Sequence, residues 1–275
     1  MPPTARLLLC PPTYFEVGYV INPWMAGNLG QARPSRARAQ WDALCELLAP
    51  HASLETIEPV AGLPDMPFTA NAGLVHRDRF VPSRFRHAER RGEEARFIAW
   101  FAAQGFDVWP LPDGLAFEGA GDALFDRACD RLWFGHGHRT DPAAAEAVQA
   151  LIGVETVPLR LVDPRYYHLD TCLCPLAGGW LLYYPAAFDA GSRAAIEARV
   201  PADRRLAVEE ADAQAFACNA ITLGRRVIVN RAGDRLCEAL AAAGFATIQT
   251  PLDEFIKAGG SAKCLTLRLD EPPVD

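Results

Sequence analysis

A cysteine and a histidine lie in segments that suit covalent catalysis. Cys264 follows the small-residue stretch 259–261 in KAGGSAKCLTL, a mobile loop that could close over a ligand. His168 lies in YYHLDT, and on a strand its side chain would share a face with Asp170. A thiolate beside a histidine that gives and takes protons can hydrolyse a substrate through a covalent intermediate.

Acidic residues accompany this pair. Glu118 and Asp122 lie in FEGAGDAL, where small residues between them permit a tight turn. Several acids in one pocket repel each other unless a cation lies among them. A metal is the weaker option, because His136 and His138 have no third ligand in evidence. A guanidinium suits better, since it is planar, permanently charged and bound bidentately by carboxylates. We therefore expect no metal and no organic cofactor.

The elements that would position these residues repeat along the chain. Apolar segments, most ending in proline, recur about every 50 residues, and a polar residue some way beyond each opens a strand-like segment. These polar openers are Asn71, Asp122, Asp170, Asn219 and Cys264. Repeated units without obvious ends favour closure around one axis, because closure removes exposed sheet edges. Closure would point every opener at one pocket, although turn chemistry alone would also explain an asparagine before a strand.

Helical segments fill the rest of each repeat, with apolar residues at three- and four-residue spacing. Gly105, Gly153 and Gly244 suit left-handed caps after three of them. One further step of the repeat towards the N-terminus falls on Asn22. The chain has no linker and no low-complexity tract, so residues 1–275 are predicted to form a single α/β domain.

Composition limits the classes of function. The chain has 275 residues, 50% of them hydrophobic and 22% charged, with a formal net charge of −7. These values exclude intrinsic disorder, and no apolar run is long enough for a transmembrane helix. The acidic balance argues against nucleic acid as a partner. The eight cysteines form no CxxC pair, and no signal peptide is evident, so we predict free thiols in the cytoplasm.

Taken together, these segments resemble the guanidine-modifying (pentein) superfamily. It includes arginine deiminases, dimethylarginine dimethylaminohydrolases, amidinotransferases and arginine or succinylarginine dihydrolases. The resemblance rests on FTANAGLV, FEGAGD, GHGHRTD, YYHLDT and the cysteine loop, and it covers essentially the whole chain. The opening PPTYFEVGYVINPWM is especially similar to the arginine dihydrolase domain that cyanobacteria fuse to a larger partner. The implied fold is a five-fold pseudo-symmetric α/β propeller of ββαβ repeats around a central active site.

The resemblance also implies roles for individual residues. Cys264 matches the nucleophile and His168 the general acid/base. Glu118 matches the carboxylate that holds the guanidinium, and Asp170 matches the acid that shares this task in deiminases. Asn71 stands where deiminases generally have aspartate and where the dihydrolases have asparagine. An amide can donate a hydrogen bond to the urea oxygen of citrulline, so Asn71 could let the enzyme keep citrulline and attack it again.

Further residues are expected to bind the substrate. Arg139 matches an arginine that holds the α-carboxylate, and Arg90 matches a second one, although it could instead lie on a solvated helix face. Asp122 is expected at the pocket from its place in the repeat. Asn22 is a candidate contact, but a turn residue before Pro23 explains it equally well.

The resulting prediction is a cysteine-dependent hydrolase of the arginine guanidino group, acting through a thiouronium intermediate. An arginine dihydrolase would give ornithine, carbon dioxide and two ammonia. The alternatives are a dimethylarginine dimethylaminohydrolase or arginine deiminase that gives citrulline, an amidinotransferase, and a catalytically silent guanidine-binding domain. The substrate could be free, methylated or acylated arginine. We expect a small-molecule substrate and no membrane, and a homodimer stays open.

Overall fold

The computed structural model describes residues 5–272, so residues 1–4 and 273–275 of the expected domain lie outside the described part. Fifteen strands and seven α-helices lie within it. The strands are β1 (Ala5–Leu9), β2 (Ala52–Thr56), β3 (Gly73–His76), β4 (Arg79–Pro82), β5 (Asp107–Val108), β6 (Ala123–Phe125), β7 (Arg131–His136), β8 (Glu155–Arg160), β9 (Leu173–Leu176), β10 (Trp180–Tyr183), β11 (Arg205–Ala207), β12 (Ile221–Leu223), β13 (Arg226–Val229), β14 (Ala246–Gln249) and β15 (Leu267–Arg268). The helices are α1 (Pro34–Leu48), α2 (Glu94–Ala103), α3 (Ala144–Ile152), α4 (Ala190–Glu197), α5 (Glu210–Gln214), α6 (Asp234–Ala242) and α7 (Asp253–Ile256).

Four consecutive ββαβ units each form a three-stranded mixed sheet. In the first, β3 pairs antiparallel with β4, and β5 pairs parallel to β4 after the crossover through α2. The same order recurs in β6–β8, β9–β11 and β12–β14. A parallel return needs a long crossover, which explains why a helix separates the second and third strand of each unit. The predicted ββαβ repeat is confirmed.

The fifth sheet joins the two ends of the chain. Strand β15 pairs antiparallel with β1, and β1 pairs parallel with β2 after α1. The sequence reasoning found the Cys264 copy of the repeat but not its completion by the N-terminal strand. Asn22, one step back along the repeat, lies between β1 and α1 and opens no strand. Five sheets therefore follow from a chain with four continuous units and one split unit.

The helices end where the glycines predict. Gly105, Gly153 and Gly244 have φ of 85°, 73° and 84°, the left-handed region that ends a helix without a side-chain clash. Helix α4 was not predicted; its N-cap is Asp189, whose side chain accepts from the Ser192 amide. This capping pair was the signal available in the sequence.

The core lies between sheets and helices. Strands β3, β6 and β9 are buried at every position, as expected where both faces of a sheet are covered. One cluster of buried side chains runs across three sheets and includes Trp133, Leu182 and Val227. Within residues 5–272 no helix is both long and apolar enough to span a bilayer.

Candidate active site

All five polar openers are buried, and each lies one to three residues before the first strand of its ββαβ unit. Asn71 lies in the short 3₁₀ turn before β3, and Asp170 lies in the turn before β9. Asp122 and Asn219 come just before β6 and β12, and Cys264 comes three residues before β15. The repeated turn brings side chains that are distant in sequence into hydrogen-bonding contact.

The thiol of Cys264 lies between an acid and an amide. Its Sγ donates to Asp170 Oδ2 over 3.4 Å and accepts from Asn219 Nδ2 over 3.1 Å. Burial and the Asp170 carboxylate raise the pKa of the Cys264 thiol well above its usual range. Burial also raises the pKa of Asp170 to about 7, against the opposing effect of the Lys263 ammonium. The resting cysteine is therefore a neutral, hydrogen-bonded thiol.

Glu118 is the centre of a second, charged cluster. Its Oε2 accepts from Arg139 Nη1 over 2.8 Å and lies 2.7 Å from His168 Nε2. Burial alone would raise the pKa of Glu118, but the Arg139 charge and the His168 hydrogen bond hold it well below its usual range. Burial lowers the pKa of His168, against the opposing effect of Glu118. An ionised Glu118 thus faces a neutral imidazole near pH 7.

Asn71 connects the histidine to an arginine. Its Oδ1 accepts from Arg90 Nη1 over 2.8 Å, and its Nδ2 lies 3.4 Å from His168 Nδ1. With the Asn71 amide as donor, Nδ1 of His168 carries no proton, and Nε2–H donates to Glu118. Arg90 is buried and forms a bidentate pair with Glu93, so it does not lie on a solvated helix face.

Asp122 lies behind the pocket. Its Oδ2 accepts from Thr140 Oγ1 over 2.7 Å, and its Oδ1 accepts from the Leu169 amide over 3.0 Å. The Leu169 contact holds the turn that carries His168 and Asp170. Asp122 does not line the pocket, and neither do Glu118, His168 and Asp170, which lie directly behind the lining residues. The Asp122 carboxyl group differs from these three in that its hydrogen bonds only position other residues.

The pocket itself is lined by residues from four of the five units and from the segment between β1 and α1. The lining residues include Asn22, Asp65, Asn71, Arg90, Arg139, Tyr167 and Cys264. Two hydrogen bonds close it: Tyr167 Oη donates to Gly259 O over 2.6 Å, and Asn22 Nδ2 donates to Ala258 O over 3.0 Å. The remaining cavity is about 10 Å³, little more than the space of one water molecule. A cavity of this size cannot hold an amino acid, so one can bind only if some of the lining residues move.

Sequence reasoning missed Asp65 and Tyr167 as pocket residues. Asp65 Oδ2 accepts from Tyr19 Oη over 2.9 Å, while Oδ1 is buried and has no hydrogen-bond partner among the described residues. An acid inside the apolar run PDMPF was the available signal. The Tyr167 ring stacks under the Arg139 guanidinium at 4.5 Å, and its place beside His168 was the signal for it.

No group of three or more histidine, cysteine or acidic side chains that could hold a metal ion occurs in the described part of the chain. His136 ends β7, and His138 follows the turn at Gly137. The clustered acids are neutralised by arginines or by protonation. The groups of the site that can take part in a reaction are the Cys264 thiol, the His168 imidazole and the acidic side chains beside them.

Comparison with known proteins agrees with this geometry. A model of the family described as "N,N dimethylarginine dimethylhydrolase, eukaryotic" matches residues 27–270. The chain belongs to this family. Family members include the N(G),N(G)-dimethylarginine dimethylaminohydrolase of Mycobacterium tuberculosis, which is 39% identical over 270 residues, with 98% of this chain and 87% of that protein covered.

A second relative of this chain has a name that combines two activities. The bifunctional arginine dihydrolase/ornithine cyclodeaminase ArgZ of a Synechocystis species is 52% identical over 267 residues, covering 97% of this chain. The match covers 38% of ArgZ, so the chain spans well under half the length of that relative. Solved structures of the N-terminal domain of ArgZ align with a TM-score of 0.97 at 51% identity, covering 98% of this chain and 100% of that domain. They include a C264S variant bound to substrate and an N71S variant covalently bound to a reaction intermediate.

Proposed function

We propose that the chain hydrolyses the guanidino group of free arginine and acts as an arginine dihydrolase, giving ornithine, carbon dioxide and two ammonia. The observation that carries the proposal is the buried Cys264 thiol, which shares one pocket with Asn71 and the acids behind it. The relatives support it, because the ArgZ domain variants alter a cysteine and an asparagine whose numbers and types agree with Cys264 and Asn71 here.

The first half of the reaction converts the guanidinium to a urea. Glu118 and Asp170 hold the guanidinium, the Cys264 thiol passes its proton to His168, and the resulting thiolate forms a bond to the guanidinium carbon. The C–N bond to one terminal nitrogen breaks, and His168 delivers the proton with which ammonia leaves. Water then adds to the thiouronium carbon, giving its proton to His168, and the C–S bond breaks to release the thiolate and citrulline.

The second half repeats the attack on citrulline. The thiolate adds to the ureido carbon, His168 delivers the proton with which a second ammonia leaves, and a carbamoyl group remains between sulfur and the ornithine nitrogen. Water breaks the C–S bond, and the carbamic acid separates into carbon dioxide and ornithine. Asn71 supports this second round, because its amide can donate to the ureido oxygen where a carboxylate would repel it.

Arg90, Arg139 and Asp65 suit the α-carboxylate and α-ammonium groups of an amino-acid substrate. Arg90 and Arg139 line the pocket and carry permanent charges that suit an α-carboxylate. The unpartnered oxygen of Asp65 suits an α-ammonium group. These three residues favour an α-amino acid over a decarboxylated amine such as agmatine.

The second candidate is a hydrolase that stops at citrulline, with dimethylarginine or arginine as substrate. The family match and the 39% identical mycobacterial dimethylarginine dimethylaminohydrolase favour it. The residues of the first half-reaction are the same in both candidates. The two candidates differ only in whether citrulline is released or is hydrolysed further to ornithine. An amidinotransferase would differ by needing an amine acceptor in place of water.

The deciding experiment incubates the purified chain with arginine and counts ammonia per amino acid formed, with Cys264→Ser as the inactive control. Two ammonia with ornithine supports the dihydrolase. One ammonia with citrulline establishes the deiminase and removes the role given to Asn71. If arginine yields no ammonia, the chain is incubated with dimethylarginine, with dimethylamine as the product measured. It is also assayed for transfer of the amidino group to an amine acceptor. Silence in all three overturns the enzymatic proposal and leaves a guanidine-binding domain.

Asn71→Asp tests the second half-reaction separately. A carboxylate at this position should hold guanidinium well but repel citrulline, so citrulline should accumulate. Production of ornithine alone by this variant would contradict the role of the amide.

We also propose that residues 1–275 act as one catalytic domain, because four of the sheet units contribute to one pocket. The eight cysteines are free, which supports a reducing compartment such as the cytoplasm. A homodimer stays a prediction, and light scattering of the purified chain tests it.

A further inference from the structure

Asn219 holds the nucleophile with both ends of its side chain. Its Oδ1 accepts from the Cys264 amide over 3.2 Å, and its Nδ2 donates to Cys264 Sγ over 3.1 Å. The same Nδ2 donates to the Asp170 carbonyl over 3.0 Å, and the Asn219 carbonyl accepts from the Lys263 amide over 3.2 Å. Asn219 is fully buried. The turn before β12 does not require the hydrogen bond that Asn219 donates to Cys264 Sγ.

The two polar neighbours of the sulfur favour opposite protonation states. Asp170 accepts the S–H hydrogen bond and repels a thiolate, so it favours the thiol. A thiolate is a far stronger acceptor than a thiol, so the Asn219 donor favours the ionised form. Other groups that bear on the sulfur are the Lys263 ammonium, the Tyr167 hydroxyl and the Ser261 backbone. The Tyr167 hydroxyl donates to Gly259, and Lys263 Nζ lies 3.4 Å from Thr266 O.

We propose that Asn219 is a further catalytic residue, which orients Sγ of Cys264 and donates a hydrogen bond to the thiolate that attacks the substrate. Among residues 5–272 it is the side chain that donates to this sulfur. The inference rests on the proposed function for its role in turnover, but its effect on the thiolate can be measured without any substrate.

Two substitutions change different parts of these contacts. Asn219→Asp keeps the shape and the oxygen that accepts from the Cys264 amide, but it removes the N–H donor to Cys264 Sγ and to the Asp170 carbonyl and adds a carboxyl group. Asn219→Ala removes both without adding an acid. Asn230→Asp is the matched control, because Asn230 makes the same kind of bridge away from the thiol: Nδ2 donates to Ala215 O over 3.0 Å, and Oδ1 accepts from the Leu252 amide over 2.8 Å.

The primary measurement is the rate of Cys264 alkylation by iodoacetamide between pH 6 and pH 10, read by peptide mass spectrometry. Both Asn219 variants should react about 10- to 100-fold more slowly than the wild type at a given pH, since a hydrogen bond to a charged group has that effect. The rise in rate should also move to higher pH. Asn230→Asp should react at the wild-type rate. Should Asn219→Asp fail to fold, Asn219→Ala carries the test.

Turnover distinguishes this proposal from the proposed function. With arginine, the Asn219 variants should lose kcat by a similar factor and keep KM within about threefold, since they leave uniform binding intact. Wild-type alkylation rates in both Asn219 variants would overturn the inference, whatever happens to turnover. Slowed alkylation in a chain that hydrolyses neither arginine nor dimethylarginine would leave Asn219 as the thiolate donor and overturn the proposed function alone.

Discussion

Two groups of polar side chains line the pocket or lie directly behind its lining, and they differ in how their polar atoms are partnered. We call Asn71, Arg90, Glu118, Arg139 and His168 the ion-pair wall, and Asp170, Asn219 and Cys264 the thiol wall. In the ion-pair wall, Glu118 and both arginines have an oppositely charged partner at 2.9 Å or less. In the thiol wall, Asp170 Oδ1 is buried and has no hydrogen-bond partner among the described residues, and the thiol stays protonated.

This difference in partners indicates that the two walls have different roles. Fixed charges that already have partners need little reorganisation when a substrate arrives, which is the condition for electrostatic preorganisation. Within residues 5–272 no side chain forms an ion pair with the thiol wall, and the Lys263 ammonium acts on it only from a greater distance, so the charge of its acid and its sulfur depends on what enters the pocket. A bound guanidinium would stabilise both anions at once. We therefore propose that one wall positions the substrate and that the substrate in turn ionises the other wall.

The largest expected effect comes from crowding the ion-pair wall at Gly121. A Cβ there would lie 2.3 Å from Asn71 Nδ2 and 3.3 Å from the His168 ring, so Gly121→Ala must displace at least one of them. Since a displacement near 1 Å can cost about 100-fold, kcat/KM for arginine should fall at least that far. Gly191→Ala is the control, because its Cβ would meet no atom closer than 3.7 Å. Near-normal kcat/KM in Gly121→Ala would mean that this wall is looser than its contacts indicate.

The free energy of unfolding should respond differently to substitutions in the two walls, which is the second expected effect. Glu118→Gln leaves the buried Arg139 without its counter-ion and should lower the free energy of unfolding by about 3–5 kcal/mol. Asp170→Asn makes the same chemical change where no oppositely charged group lies within ion-pair distance among residues 5–272, so the free energy of unfolding should stay unchanged or rise. Urea unfolding at pH 7.5 measures both. Equal losses in the two variants would contradict the contrast between the walls.

The sequence made much of the fold predictable, because the repeat is a property of the order of residues. Each polar opener lies at a corresponding position of a repeated unit, so the spacing predicted that Asp170 and Cys264 lie around one pocket. The resemblance supplied the roles of Glu118 and Arg139, but not the ion pair between them. That pair depends on how the segment after β7 folds back towards the turn before β6.

Residues outside the repeat could not be placed. Asp65 lies in the irregular segment between β2 and β3, whose path depends on tertiary contacts such as its hydrogen bond to Tyr19. Strand β1 joins the fifth sheet only because β15 returns to it from the far end of the chain. No local sequence pattern indicates that a strand near one end of the chain pairs with a strand near the other end. Asn219 was found as an opener, but its contact with sulfur required coordinates.

The pH dependence of stability tests the acid of the thiol wall alone. Because burial raises the folded-state pKa of Asp170 from 3.8 to about 7, folding takes up a proton in this range. The stabilising effect of that proton is complete below the unfolded pKa and is lost as pH rises through about 7. Relative to Asp170→Asn, the wild type should therefore lose a few kcal/mol between pH 4 and pH 8, since one pKa unit is about 1.4 kcal/mol. Parallel stability curves for the two proteins would show that Asp170 ionises in the folded chain as it does in water.

The smallest expected effect, and the most direct probe of substrate-induced ionisation, is the alkylation of Cys264 in the presence of methylguanidinium. The free protein should react slowly at pH 8, because burial and Asp170 keep the thiol protonated. Bound methylguanidinium should stabilise the thiolate and raise the rate several-fold, although the small cation also blocks part of the access. Exposed Cys129 serves as the internal control in the same digest, since it lies outside the pocket and its rate should not change. If methylguanidinium leaves Cys264 alkylation unchanged at saturating concentration, the thiol wall is not ionised by the substrate, and the proton must leave by another route before the guanidinium arrives.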